Sequence, residues 1–361
     1  MKRWRVGMVG YGWAAGAHIG ALELIDRFEV AAVCTSREDI DAAGLERTHG
    51  HPIELVRDFD ELIARPDIDV IDLCSRSNLH ASQAIAAARA GKHLIIEKPI
   101  ALDLEGMRAV EAAVAEAGVR TCVCLQVRFS PQFTMTRSLV GGGLIGELHY
   151  AEVDYFHNIG PEVSQYEWNL RKDGGGSSLL TAGCHALDGL MMFMDAEVTE
   201  VTSYATSSPH PNFSRYEYPT SSVTILRFAN GALGSFVLSD AAASTRSWEQ
   251  TAGENAAYAR DETEACYLVS GDRGSLAVPT LRLQTARGPE ASWFEPMRDQ
   301  RLGARLSDPL QRQLEHFASV IRREQAPLVG VRDATRSLQA TLAVAESAAR
   351  GRPMRCDKMA A

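Results

Sequence analysis

Three stretches of the chain carry side chains whose types and spacing could do chemistry. In GGGSSLLTAGCHALD, residues 174–188, Thr181, His185 and Asp188 recur at i, i+4 and i+7 and so share one side of a helix. A hydroxyl, an imidazole and a carboxylate in that order can bind a polar group and move a proton, although an isolated histidine on an apolar helix is usually structural. In VGYGWAAGAH, residues 9–18, Gly10, Gly12 and Ala15 fill the small-residue positions of a GxGxxG/A turn. Gly10 permits the tight turn, Gly12 lets backbone approach a pyrophosphate, and Ala15 leaves room for a helix to pack on a strand. In LIIEKP, residues 94–99, Lys98 ends an apolar run, where an ammonium can polarise a bound oxygen.

These groups need elements that hold them. From Trp4 the chain alternates short apolar runs with helical segments: WRVGMVG, VAAVC, VIDLC at 70–74, LIIEKP, and TCVCL at 121–125, with helices expected at about 79–90 and 103–117. Apolar strands separated by helices require a parallel sheet covered on both faces, which is a doubly wound α/β domain of Rossmann type. Its glycine turn joins the first strand to the first helix, the place for a dinucleotide pyrophosphate. At the end of the second strand Cys34-Thr35-Ser36-Arg37 stands where a carboxylate would bind the ribose of NAD. The hydroxyls and Arg37 suit a 2′-phosphate, so the sequence favours NADP over NAD, with Glu38 and Asp39 tempering the positive field.

After Gln126 the pattern changes to period-2 alternation, in residues 221–228, 232–239 and 265–278, with turn signals at Asn230-Gly231 and Asp272-Arg273-Gly274. The reading is therefore two domains, 1–125 and 126–361, the second an α/β domain with an open, mostly antiparallel sheet. Two amphipathic segments near 309–321 and 333–349 look like packing helices, and 240–264 and 286–306 read as loops.

Composition narrows the function. The 361 residues carry a net charge of -9 and no basic stripe with interleaved aromatics, which argues against a nucleic-acid partner. No apolar run of membrane-spanning length and no leader are evident, so a cytoplasmic protein without a membrane partner is expected. Seven cysteines, an odd number set mostly in apolar runs, suit buried thiols, and no metal site is expected because no ligand spacing recurs.

With GYGWAAGAH and GGGSSLLTAGCHALD, the run VIDLCSRSNLHASQAIAAARAGKHLIIEKP at 70–99 resembles the Gfo/Idh/MocA oxidoreductases, the glucose–fructose oxidoreductase and inositol dehydrogenase group, over nearly the whole chain. The resemblance implies that Glu97-Lys98-Pro99 lies beside a nicotinamide, that Lys98 reaches the substrate carbinol, and that a cis bond precedes Pro99. It implies a cofactor pocket drawn from Gly10, Gly12, Trp13, Ala15, Ser36, Arg37, Ser75, Asn78, His80, Glu97, Lys98 and Gln126, with Arg128 where the chain crosses to the second domain. It makes His185 the proton acceptor. Where the family usually has Asp, His and Asp, this chain has Thr181, His185 and Asp188. A carboxylate at 181 would stabilise a protonated His185, so Thr181 should leave the neutral base easier to populate and can hold a substrate hydroxyl, with Asp188 as an orienting group behind. His157, Trp168 and Arg171 precede the glycines and suit a polyhydroxylated ring with an apolar face and a polar rim. The expected activity is hydride transfer between NAD(P) and a secondary alcohol or ketone of a sugar, glycoside or cyclitol, in a homodimer or homotetramer joined through the second domain's sheet. The alternatives are a glycosidase or lyase that retains its cofactor and a nicotinamide-sensing regulator.

Overall fold

The computed structural model describes residues 3–157, 167–288 and 291–359. The chain divides into two compact units, one of residues 1–126 with 310–335, the other of 127–309 with 336–361.

The first unit carries β1 (Trp4–Val9), α1 (Trp13–Glu23), β2 (Phe28–Cys34), α2 (Ala42–His49), β3 (Glu54–Val56), α3 (Phe59–Ala64), β4 (Val70–Leu73), α4 (Ser77–Arg89), β5 (His93–Ile96), α5 (Leu104–Ala117) and β6 (Thr121–Val123). The strands pair in parallel in the order β3-β2-β1-β4-β5-β6. The order reverses between β1 and β4, the switch point at which ligands bind on such sheets. Helix starts follow the expected capping chemistry: Asp41, Asp58 and Asp103 each accept a backbone N–H two or three residues into α2, α3 and α5. Gly12, at the start of α1, supplies no such side chain, which leaves that helix end without a capping oxygen.

A boundary at 125 and 126 would assign everything after it to the second domain. Instead α10 (Pro309–Ile321) gives Leu314, Phe317, Ala318, Val320 and Ile321 to the buried cluster built on Val6, Met8, Val70 and Ile95. Its Gln313 side chain donates to the carbonyl of Val123. The apolar stripe at helical spacing was evident in the sequence; the sheet it covers was not.

The second unit contains α6 (Pro131–Gly141), β7 (Leu148–Phe156), α7 (Glu167–Leu170), a five-residue π-turn (Leu179–Gly183) running directly into α8 (Cys184–Met194), then β8 (Val198–Thr206), β9 (Ser221–Phe228), β10 (Leu233–Ser239), α9 (Trp248–Ala252), β11 (Tyr267–Gly271), β12 (Gly274–Val278), β13 (Arg282–Thr285), β14 (Arg298–Arg301) and β15 (Met354–Arg355). The helix α11 (Val331–Arg350) contributes residues to both units. Among the described residues nine strands are ordered β14-β13-β12-β11-β7-β10-β9-β8-β15. Only the β7–β10 pairing among them is parallel. Asn230-Gly231 turns β9 into β10, and Gly231 needs its φ of +89° there. One face of this sheet is core: Val153, Thr224, Leu226, Phe228 and Phe236 are buried. On the other, Tyr204, Val223, Ile225 and Leu233 are exposed. The segments read as loops at 240–264 and 286–306 contain α9 and β14. Among the described residues no helix is long and apolar enough to cross a membrane.

Candidate functional site

In the first unit Gly10, Gly12, Trp13 and Ala15 follow or open the helix after β1, Ser75, Asn78 and His80 follow β4, and Glu97 and Lys98 follow β5, three successive strands of the sheet, whereas Ser36 and Arg37 follow β2 and Gln126 follows β6. Gly10 has φ +96°, and a Cβ there would stand 2.5 Å from the carbonyl oxygen of Cys74. A Cβ on Gly12 would meet nothing within 4 Å, so the space before the first turn of α1 is open. Ala15 is fully buried, and Trp13 is exposed. A tight glycine turn, an open approach and an uncapped helix N-terminus fit a dinucleotide pyrophosphate. The side-chain oxygen of Gln126, shielded from solvent, accepts no hydrogen bond among the described groups.

After β2, Arg37 is half-exposed. Its guanidinium grips the Asp39 carboxylate at 3.0 and 2.5 Å and donates to the Tyr11 carbonyl at 3.0 Å, within the glycine turn. That pairing holds the Asp39 carboxyl below its usual range, the hydrogen bond from Arg37 being the main cause. Arg57, which the sequence reading missed, braces this segment by donating to the carbonyls of Thr35, Arg37 and Ile40 at 2.9, 2.6 and 2.6 Å.

Ser75 donates to the Gln83 side chain at 2.5 Å, and Asn78 is exposed near the start of α4. His80 is buried, with Nδ1 2.9 Å from the Pro99 carbonyl and Nε2 3.0 Å from that of Ser75. Burial pushes its pKa down, so the ring carries one proton and donates to one of these carbonyls at a time. His80 therefore ties the loop after β4 to the turn after β5. In that turn the Lys98–Pro99 bond is cis and Lys98 is half-buried.

Beneath the turn lies a constellation the sequence reading did not assemble. His18, on α1, sits between Asp72 on β4 and Glu97 at the end of β5, with Cys74, Cys122 and Cys124 around it. Donor atoms of His18, Glu97 and Cys124, and of His18, Asp72 and Cys74, lie within 4.8 Å of one another. All seven cysteines are free thiols. Burial pushes Cys122 up to about 12 and Cys124 further still, which keeps both as neutral S–H groups.

In the second unit Thr181 lies in the π-turn rather than in regular α-helix, and its hydroxyl donates to the Ser177 carbonyl at 3.0 Å. Single π-turns inside helices recur at functional sites because they widen the spacing of side chains on one face. His185 is buried in the first turn of α8. The carbonyl of its neighbour Cys184 accepts a hydrogen bond from Ser337 on α11 at 2.7 Å, which pins this end of the helix. Both oxygens of buried Asp188 accept from Arg128, Nε at 2.6 Å and Nη2 at 2.7 Å, a bidentate pair the sequence did not suggest.

His157 leaves the end of β7 with Nδ1 3.4 Å from an oxygen of Asp240, which is 2% exposed, and packs edge-on to Tyr155. The expected substrate residue thus has a buried acidic neighbour contributed by the strand beside it. Arg171 instead spans Asp173 with two bonds of 2.9 Å and is 57% exposed, so its fork is already engaged. Gly174 is required sterically: a Cβ would stand 2.5 Å from the carbonyl of Trp168, the aromatic expected at a substrate face.

Known proteins match along the whole chain. A model described as an oxidoreductase family with an NAD-binding Rossmann fold matches residues 4–125, and one described as the C-terminal alpha/beta domain of an oxidoreductase family matches 137–356. The uncharacterized oxidoreductase YrbE of Bacillus subtilis is 30% identical over 63% of this chain, which spans 64% of that relative's length. The scyllo-inositol 2-dehydrogenase (NAD(+)) of the same organism is 27% identical over 87% of this chain and 83% of its own. An oxidoreductase from Thermotoga maritima superposes with a TM-score of 0.81 over 99% of this chain and all of its own, at 21% identity, a likeness of fold.

Proposed function

The chain belongs to the Gfo/Idh/MocA oxidoreductase family, and on that premise we propose that it transfers a hydride between a nicotinamide dinucleotide and a secondary alcohol or ketone of a sugar, glycoside or cyclitol. The observation that carries this reading is the convergence of the glycine turn, the Ser75–Asn78 segment and Glu97-Lys98-Pro99 on the carboxyl ends of three adjacent parallel strands. A relative named for scyllo-inositol supports the polyhydroxylated substrate class.

When bound, the nicotinamide supplies the hydride acceptor or donor. In this reading Lys98 polarises the substrate oxygen, and His185 takes the hydroxyl proton during oxidation and returns it during reduction. Thr181 holds a neighbouring hydroxyl, His157 with Asp240 behind it binds the polar rim, and Trp168 faces the apolar side of the ring. Arg37, backed by Ser36, selects NADP over NAD. Two copies meet through the exposed sheet face, where Val223 and Tyr204 stand directly opposite each other on paired strands beside Ile225 and Leu233.

The test is nicotinamide absorbance with NADP and with NAD against sugars, glycosides and inositols. Turnover with one ring class supports the reading. A bound cofactor without net turnover, but with cleavage of a glycoside, would replace it by the retained-cofactor mechanism, and Lys98→Met that still binds cofactor yet loses turnover would exclude a pure sensor.

A further inference from the structure

His18 lies in the middle of α1 and is 1% exposed. Its Nδ1 is 2.9 and 3.1 Å from the two oxygens of Asp72, itself fully buried, and its Nε2 is 3.1 Å from Glu97 Oε1. A neutral imidazole has one N–H, so it would turn a lone pair toward one of these carboxylates; only the imidazolium donates to both. The other oxygen of Glu97 accepts the backbone N–H of Lys98 at 3.0 Å. An unbroken row therefore runs from Asp72 through His18 and Glu97 to the backbone of the residue proposed to polarise the substrate.

The remaining titratable groups facing the ring are the thiols of Cys74 after β4 and of Cys122 and Cys124 on and after β6. Burial raises all three, so they add no charge. Burial alone would lower the His18 pKa, but the Asp72 carboxylate, by its charge and its hydrogen bond, is the chief opposing cause and the ring is held above the ordinary value. His80, by contrast, has carbonyls at both nitrogens and is lowered, chiefly by burial. Two carboxylates are held against one cation in a place where an apolar trio would pack at lower cost. Such an arrangement calls for a reason beyond stability.

We propose that His18 is a positioning residue of the hydride-transfer site: a permanent imidazolium, clamped by Asp72, that fixes the Glu97 carboxylate and through it the backbone of Lys98 at the cofactor end of β5. This rests on the function proposed above. Removing the clamp in Asp72→Asn lets His18 lose its proton within the working range, and Glu97 Oε1 then loses the charge-assisted bond from Nε2.

The deciding experiment needs no turnover. Histidine-labelled protein followed by NMR should show one ring with both nitrogens protonated and unchanged from about pH 6 to about pH 9. In Asp72→Asn the same signal should titrate inside that window. A His18 ring that titrates normally in the unmodified protein would overturn the proposal, as would one equivalent of tightly bound metal whose removal by chelator shifts the His18 signal. In the kinetics, Asp72→Asn should lower kcat by about 10- to 100-fold, the scale for losing an orienting partner, with KM changed less and cofactor affinity retained, and the rate should gain a new basic limb. Full activity of Asp72→Asn at every pH, in a preparation whose unmodified enzyme turns over, would also overturn it. An unmodified protein with no turnover on any ring would instead refute the hydride-transfer reading, leaving the NMR result to decide whether the row is charged as described.

Discussion

Replacing Arg37 by alanine tests how this chain chooses between NADP and NAD. The side chain stands at the end of β2 with its fork divided between Asp39 and the Tyr11 carbonyl of the glycine turn. A charge-assisted bond from this guanidinium to a 2′-phosphate is worth about 1.5–3 kcal/mol when shielded. The side chain is 52% exposed and must share itself with Asp39, so solvent and competition reduce the net to about 1–2 kcal/mol. At about 1.4 kcal/mol per tenfold, that is a change of about 5- to 30-fold in the ratio of kcat/KM for NADP to that for NAD. Arg37→Ala should narrow the ratio by this amount through a loss on the NADP side, because NAD offers the guanidinium no phosphate at that position. Asp39→Asn releases the fork and should move the ratio the other way by a smaller factor. Steady-state kinetics with one alcohol substrate and both cofactors measure both changes. A ratio unmoved in Arg37→Ala would show that the side chain only braces the Tyr11 carbonyl, and the preference for NADP would lose its basis.

Three further outcomes follow from the second unit. Thr181→Asp should move the acidic limb of the oxidation pH–rate profile upward by about one pH unit or more, because a carboxylate near His185 favours the protonated form that cannot accept a proton; an unmoved limb refutes Thr181 as a neighbour of the base. Asp188→Asn should destabilise the protein by about 3 kcal/mol in urea denaturation, since it removes the charge from one side of a mostly buried bidentate pair. Burial pushes the Glu254 carboxyl up from 4.5 to about 7, against hydrogen bonds from Ser130 and Trp248. The folded state then binds that proton more tightly than the unfolded state, so stability falls as pH rises from about 4.5 to about 7, by at most about 3 kcal/mol. Glu254→Gln should remove that slope and exceed the unmodified protein in stability at pH values above about 7, which denaturation at two pH values checks.

The parts of this molecule that could be read from sequence are those set by local pattern. Continuous apolar runs gave the parallel strands, because a strand covered on both faces has no polar side to show. Alternation gave β9, where Thr224, Leu226 and Phe228 point inward and Val223, Ile225 and Arg227 outward. What stayed hidden depends on contacts between distant segments. The α10 stripe announced a buried face without saying which sheet it covers. The π-turn at Leu179–Gly183 left no mark in composition, so Thr181 read as ordinary helix. Arg128 and Asp188 are 60 residues apart, and nothing in either neighbourhood names the other.

His18 is the instructive case, because a signal did exist. Its partners lie 54 and 79 residues away, beyond the reach of any motif. Yet Asp72 interrupts the run VIDLC, and a strand buried on both faces cannot hold an isolated carboxylate without a donor. A charge in such a run implies a buried cation or donor on the helix that covers it, and α1 offers His18 as a buried basic side chain. The same reasoning extends one strand further. The imidazole satisfied by Asp72 at one nitrogen needs an acceptor at the other, and Glu97 meets that need because β5 lies next to β4. The buried charge that breaks the apolar pattern thus leads, by successive demands for a partner, from the covering helix to the backbone of Lys98.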